Sequence, residues 1–150
     1  MSGQLSFIRH TKNFYMAKTL TQKVVFKNTT VATLYNTYVD AKEHSKATGM
    51  PVTIQPKEGS KFRSDDGYIT GKNFQLVKNK LIVQSWRASD WNDSDLDSTF
   101  ILSFEQKGKD GIVNMVHANI PDNQFAGIKD GWNTYYWKPW KKYFSSKKKN

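Results

Sequence analysis

The residues of this 150-residue chain that could do chemistry are three histidines, thirteen Asp and Glu side chains, and a large set of Trp and Tyr rings. Their spacing favours binding over catalysis. His10, His44 and His117 have no metal-type spacing, and only His44 has an acid beside it, Glu43. Asp93, Asp95 and Asp97 occupy the first three ligand positions of a calcium loop. The sixth is Ser98 rather than glycine, however, and the twelfth is Phe104 rather than glutamate, so no calcium site is expected. The glycine-flanked stretches around Phe62 and Tyr68 lack the phosphate-loop pattern, and no nucleophile with a base beside it can be assembled. No catalytic residue, metal or cofactor is therefore assigned. What remains is a possible contact surface. The loop Asp90–Asp97 is rich in acids and could meet a basic partner through Asp90, Asp93 and Asp95. Trp86 and Arg87 alternate on one strand, so with Trp86 turned inward Arg87 is free to pair with an acid such as Asp90 or to anchor an anionic group.

These residues must be positioned by the elements around them. Thr19–Lys27 is rich in β-formers and ends at Asn28-Thr-Thr, which can cap a helix over Val31–Val39, where Val31, Leu34, Tyr35 and Tyr38 recur at helical spacing. Asp40 can cap a second short helix, Ala41–Ala47, stopped by Gly49 and Pro51. Strands are predicted at Lys61–Arg63, Gly67–Val77, Lys80–Arg87, Ser98–Lys107 and Ile112–Asn119. Lys78-Asn79 and Gly108 to Gly111, the latter including Asp110-Gly111, provide short turns between them. Within STFILSFEQ, Phe100, Leu102 and Phe104 alternate with residues of the other face.

The chain then ends in GWNTYYWKPWKKYF. A regular helix there puts Trp132, Tyr135, Tyr136, Pro139, Trp140, Tyr143 and Phe144 on one side and Lys138, Lys141 and Lys142 on the other. Pro139 removes the bond to the Tyr135 carbonyl and should kink it. Strands followed by a long helix argue an α+β fold.

Bulk composition sets the remaining limits. The length suits a single domain, and the absence of cysteine excludes disulfides and thiolate sites and favours a reducing, cytoplasmic setting. The N-terminus lacks the apolar core of a secretory signal, and no run is long enough to span a bilayer. Net charge is +10, but six lysines lie from Lys138 onward, so a solvated basic tail is expected rather than nucleic-acid binding. Residues 1–18 read as an extension, 19–144 as the domain and 145–150 as the tail.

Four motifs in this order resemble the activator of heat-shock protein 90 ATPase family, in its C-terminal-type domain, a branch of the START-like (SRPBCC, helix-grip) superfamily. They are GSKFRSDDGYITG (Gly59–Gly71), IVQSWRASDW (Ile82–Trp91), VHANIP (Val116–Pro121) and the aromatic segment Gly131–Phe144. Ser60, Asn92 and His117 depart from the residues common at those places. The resemblance implies a curved antiparallel sheet wrapped around the C-terminal helix, two short helices between strands 1 and 2, and an apolar cavity between helix and sheet. Candidates to line that cavity are Trp132, Tyr136, Trp140 and Tyr143 from the helix, and Phe62, Tyr68, Phe74, Trp86, Phe100, Phe104 and His117 from the sheet. The function implied is non-enzymatic: a chaperone co-factor partnered by heat-shock protein 90, or a binder of an apolar small molecule or lipid. The alternative is a cyclase- or dehydratase-like enzyme using the same cavity, for which only His117, Glu105, Arg87 and the cavity tyrosines could serve. The eukaryotic co-chaperones of that family carry a further N-terminal chaperone-binding domain, for which 150 residues are not expected to leave room.

Overall fold

The computed structural model describes residues 16–148, so His10 and the first fifteen residues of the expected extension lie outside the described residues. Strand β1 (Ala17–Phe26) begins at Ala17 rather than Thr19. It is followed by α1 (Val31–Val39), whose first turn is capped by Thr30, the hydroxyl accepting from the Thr33 N–H at 3.1 Å. Helix α2 (Ala41–Thr48) is capped by Asp40, whose carboxylate accepts from the Glu43 N–H at 2.9 Å, and it stops at Gly49, left-handed at φ 75°.

Seven strands then form one antiparallel sheet in the order β1-β7-β6-β5-β4-β3-β2. Strand β2 (Val52–Thr53) is a two-residue edge piece that the sequence does not announce. It pairs with β3 (Lys61–Ser64), which leads through a tight turn at Asp65–Gly67 into β4 (Ile69–Val77). β5 (Leu81–Ala88), β6 (Ser98–Lys107) and β7 (Asp110–Pro121) follow as hairpins, and β1 closes the order against β7. Between β3 and β5 the sheet tolerates no side chain at Gly71, where a Cβ would stand 1.9 Å from the Ser85 carbonyl oxygen.

Two details of register differ from the sequence expectation. The β6–β7 turn is Gly108-Lys109, with Lys107 opposite Asp110, so Asp110-Gly111 belongs to β7. Asp110 is spent elsewhere: its carboxylate accepts from the Asn28 N–H and pairs with Lys27, both at 3.1 Å, and these contacts hold its pKa below the usual range. Strand β4 carries a bulge between Asn73 and Gln75, which leaves Phe74 without a partner on β5. An extra residue reverses the alternation beyond it. Asn73 keeps the inward parity of Ile69 and Gly71 and is fully buried, and the extra residue brings Leu76 to the inner face. Phe74, which an unbroken strand would place on the same face as Leu76, points to solvent, 53% exposed. The expectation that Phe74 lines the helix–sheet interior is corrected by that bulge.

The C-terminal rod consists of α3 (Phe125–Gly131), a π-helical segment Trp132–Trp137 and α4 (Lys138–Lys147). In the π turn the Lys138 N–H reaches back to the Asn133 carbonyl, five residues away. Pro139, which cannot donate, follows directly in the first turn of α4, so the irregularity lies ahead of the proline as a widened turn. Widening changes the helical phase. Trp137, which a regular helix leaves outside the apolar face, is 2% exposed, whereas Tyr135 is 58% exposed. α4 also continues through Lys147, into the stretch expected as a tail.

The phase shift is testable by substitution. Trp137→Ala is expected to lower unfolding free energy by about 3–5 kcal/mol, and Tyr135→Ala to change it by no more than about 0.5 kcal/mol. Urea denaturation of both variants checks this; a regular α-helical phase predicts the opposite ranking.

Candidate functional site

The rings of the rod stack directly on the sheet. Trp132 lies parallel to Phe100, with centroids 4.5 Å apart and planes within 2°. Its indole N–H, buried with the ring, needs an acceptor and donates to His117 Nδ1 at 3.1 Å. That contact decides the tautomer, because an indole can only donate. The His117 proton is therefore on Nε2 and is given to Ser98 Oγ at 2.7 Å, while the Ser98 hydroxyl donates to the Trp86 carbonyl at 2.6 Å. Burial pushes the His117 pKa down to about 3.

A second polar chain runs through the same interior. His44 Nδ1 donates to the Tyr38 carbonyl at 2.7 Å, so Nε2 accepts from the Tyr136 hydroxyl at 3.0 Å. Burial holds His44 neutral, with a pKa of about 4, and pushes the Tyr136 phenol up to about 12. The Tyr38 hydroxyl donates to Gln84 at 2.7 Å, and Gln84 donates to Asn73 at 2.6 Å. Asn73 in turn donates to the Gln55 carbonyl at 2.9 Å. Neither Gln84 nor Asn73 was singled out from the sequence. The available signal was a glutamine at inward parity between Ile82 and Trp86.

With these rings and chains in place, the helix–sheet interior is filled along most of its length. Open space of about 530 Å³ remains at one end, a groove between the rod and the β3–β4 turn. Trp86, Trp132 and Tyr136 form its inner side, Tyr68 and Ile69 one wall, and Tyr135, Ile128 and Gln124 the other. Met50 and Asp65 stand at its rim.

Of the cavity candidates, Tyr68, Trp86, Trp132 and Tyr136 are at this groove. Phe62, Phe100 and Trp140 are packed in the core and His117 is fully buried behind Trp86 and Trp132, none of them in the groove lining. Phe104 meets α1 instead, edge-on to Tyr35 at 6.0 Å. Tyr143 is half-buried and donates its hydroxyl at 2.6 Å to Glu43, which also receives Lys147 at 2.9 Å. Phe74 lies outside, in a shallow depression beside Lys61 and Lys72. Met50, Asp65, Ile69, Gln124, Ile128 and Tyr135 line the groove without having been nominated.

Arg87 has a different partner from the one expected. Its guanidinium donates to the carbonyls of Asn92 and Asp95, both at 2.6 Å, and approaches the Asp97 carboxylate at 3.4 Å rather than Asp90. It also lies over the Trp91 ring, 5.9 Å from the centroid. Asp95 accepts from the Asn92 N–H at 2.9 Å. The acidic loop is thus folded around Arg87, with Asp90, Asp93 and Leu96 exposed. Among the described residues no helix is long and apolar enough to cross a membrane.

An antiparallel sheet wrapped on a long C-terminal helix, with two short helices after the first strand, defines a START-like helix-grip domain. It superposes on a crystal structure of a Mesorhizobium loti protein with a TM-score of 0.74 at 15% identity, covering 86% of this chain and 98% of that one. The crystal structure of an Hsp90 activator from Plasmodium falciparum matches with a TM-score of 0.70 at 25% identity, covering 81% of this chain and 90% of that one. Residues 28–145 match the family described as "Activator of Hsp90 ATPase homolog 1-like protein", and the chain belongs to that family. It is 28% identical over 127 residues to the human activator of 90 kDa heat shock protein ATPase homolog 1, covering 83% of this chain and 37% of that protein. A Dictyostelium discoideum homolog is 30% identical over 99 residues, 65% of this chain and 26% of its own length. The chain therefore spans little more than a third of the human relative.

The two buried histidines make stability depend on pH. The unfolded chain protonates each near pH 6.5, whereas the fold resists until about pH 4 for His44 and about pH 3 for His117. The unfolded state thus binds more protons below pH 6.5, and stability falls with pH by about 1.4 kcal/mol per unit per histidine. Urea denaturation between pH 6.5 and 5, above the range of ordinary carboxylates, should show this loss. In His117→Gln the slope should drop by one proton's share; an unchanged slope contradicts the assignment.

Proposed function

We propose that this chain is a chaperone co-factor that binds heat-shock protein 90 in the cytoplasm and alters its ATP turnover without chemistry of its own. The observation that carries the reading is the family match over residues 28–145, joined to the likeness to an Hsp90 activator that is covered over 90% of its length. The contact surface on this reading is the Asp90–Asp97 loop. Arg87 holds its backbone, and Leu96 is presented to solvent among Asp93, Asp95 and Asp97.

The cyclase- or dehydratase-like alternative finds less support. His44 and His117 spend both ring nitrogens on internal bonds. Arg87 is turned to the acidic loop and Glu105 is exposed on β6. Tyr136, with a pKa near 12, is a weak proton donor at neutral pH.

A second reading, ligand binding in the groove, is favoured by its volume of about 530 Å³ and its aromatic lining. Small-molecule sites occupy roughly 300–1,000 Å³.

The co-factor reading is tested by titrating heat-shock protein 90 of the same organism with this chain. Binding and a changed ATPase rate are expected, both weakened in a Leu96→Ala, Asp93→Lys variant. Absence of binding together with an unaltered rate removes the reading.

A further inference from the structure

The groove differs in charge from the molecule that contains it. The chain carries 23 Lys and Arg and a net +10, yet among the described residues no Lys, Arg or His lines the groove, and Asp65 is the one charged side chain in its lining. Asp65 takes part in none of the ion pairs among the described residues. The neighbouring cation, Arg63 on β3, donates to the Asp66 carbonyl at 3.0 Å and does not reach the groove lining. The Tyr68 phenol is raised first by burial and then by Asp90 and Asp65.

Aromatic rings share the groove lining with this charge. Tyr68 and Tyr135, 39% and 58% exposed, stand on opposite walls, one on the β3–β4 turn and one on the rod, with Trp86 and Trp132 beneath. The turn that carries Asp65 is held in a costly conformation. Asp65, Asp66 and Gly67 have φ of 52°, 53° and 88°, three successive left-handed residues. For non-glycine residues this backbone conformation is strained. It persists because the Asp65 N–H donates to the Pro51 carbonyl and the Tyr68 N–H to the Asp65 carbonyl, both at 3.0 Å. The result puts one carboxylate at the rim of an aromatic recess.

We propose that this groove binds a free small organic cation, an ammonium group on an apolar body, with the charge among the Tyr68, Tyr135 and Trp86 faces and beside the Asp65 carboxylate. The inference rests on the ligand-binding reading of the groove and names its ligand class. Aromatic faces attract cations through their quadrupole, and a carboxylate adds the countercharge without closing the recess to an apolar body. The volume also exceeds what one side-chain headgroup of a partner would fill, which favours a free molecule.

The test uses an isosteric pair, acetylcholine as the cationic probe and 3,3-dimethylbutyl acetate as its neutral counterpart. Binding is followed through the indole N–H resonances of Trp86 and Trp132. The cation is expected to bind about 10-fold or more tightly than the neutral ester, in keeping with cation–π and charge contributions. Asp65→Asn should reduce that preference about 5-fold or more while keeping the fold, since asparagine accepts a left-handed φ. Tyr135→Leu, at an exposed position, should weaken the cation and spare the ester. Equal binding of the two probes overturns the cation assignment and leaves ligand binding standing. Silence of the indole resonances with both probes at millimolar concentration overturns both, and an undiminished preference in Asp65→Asn overturns the role of that carboxylate.

Discussion

The structure depends on burying the rings of the C-terminal rod against one face of the sheet. Trp132, Tyr136, Trp137, Trp140 and Phe144 are all buried there. A ring of this kind removes about 150–250 Å² from water, about 4–6 kcal/mol each as an upper bound. Rearranging one helical hydrogen bond involves about 1 kcal/mol. When the rings and the regular helix disagree about phase, the helix gives way. The π segment brings Trp137 in, where its N–H donates to Gln22 at 2.8 Å, and lets Tyr135 out toward the groove.

The same burial dictates the polar interior. Indole N–H groups, hydroxyls and amides travel inward with the rings and the bulged strand, and burial favours bonding each inside; the Trp140 indole N–H and the Ser64 hydroxyl are buried without a partner among the described residues. His117 and His44 answer that requirement as neutral imidazoles, and Gln84 and Asn73 extend it across the sheet. Residues that look like candidate acids and bases on paper are thereby committed to holding the core. These networks fill the middle of the helix–sheet interior, and the groove lies at its end near Met50 and Asp65. A filled core with a half-open groove at its end results.

The charged exterior separates into regions with different roles. Lys138, Lys141 and Lys142 face solvent from the rod, while Glu43 on α2 collects Tyr143 and Lys147 and ties the small helices to α4. Hydrogen bonds from those two groups hold the Glu43 carboxyl below its ordinary pKa. Arg87 organises the acidic loop chiefly through main-chain carbonyls, with Asp95 turned back to the Asn92 N–H and Asp97 near the guanidinium, while Asp90 and Asp93 remain exposed. The groove, with Asp65 at its rim, belongs to neither region.

What the sequence by itself determined was whatever neighbours along the chain decide. The caps at Thr30 and Asp40, the stop at Gly49 and the alternation of Phe100, Leu102 and Phe104 are each set within a few residues, and they appear as expected. The order of elements and the four motifs carried the fold and the family with them. Tertiary structure alone decided the parity of Phe74, the phase that exchanges Tyr135 for Trp137, the carbonyl partners of Arg87 and the presence of Asp65 at the groove. A β-bulge is a disagreement in register between two strands, and a π turn is a disagreement between a helix and the surface it covers. Neither is resolved until both partners are present. The π turn leaves Tyr135 on the groove wall, and the groove itself is lined by residues from the β3–β4 turn, β5 and the rod, so local patterns marked its buried rings but not Asp65, Gln124, Ile128 or Tyr135.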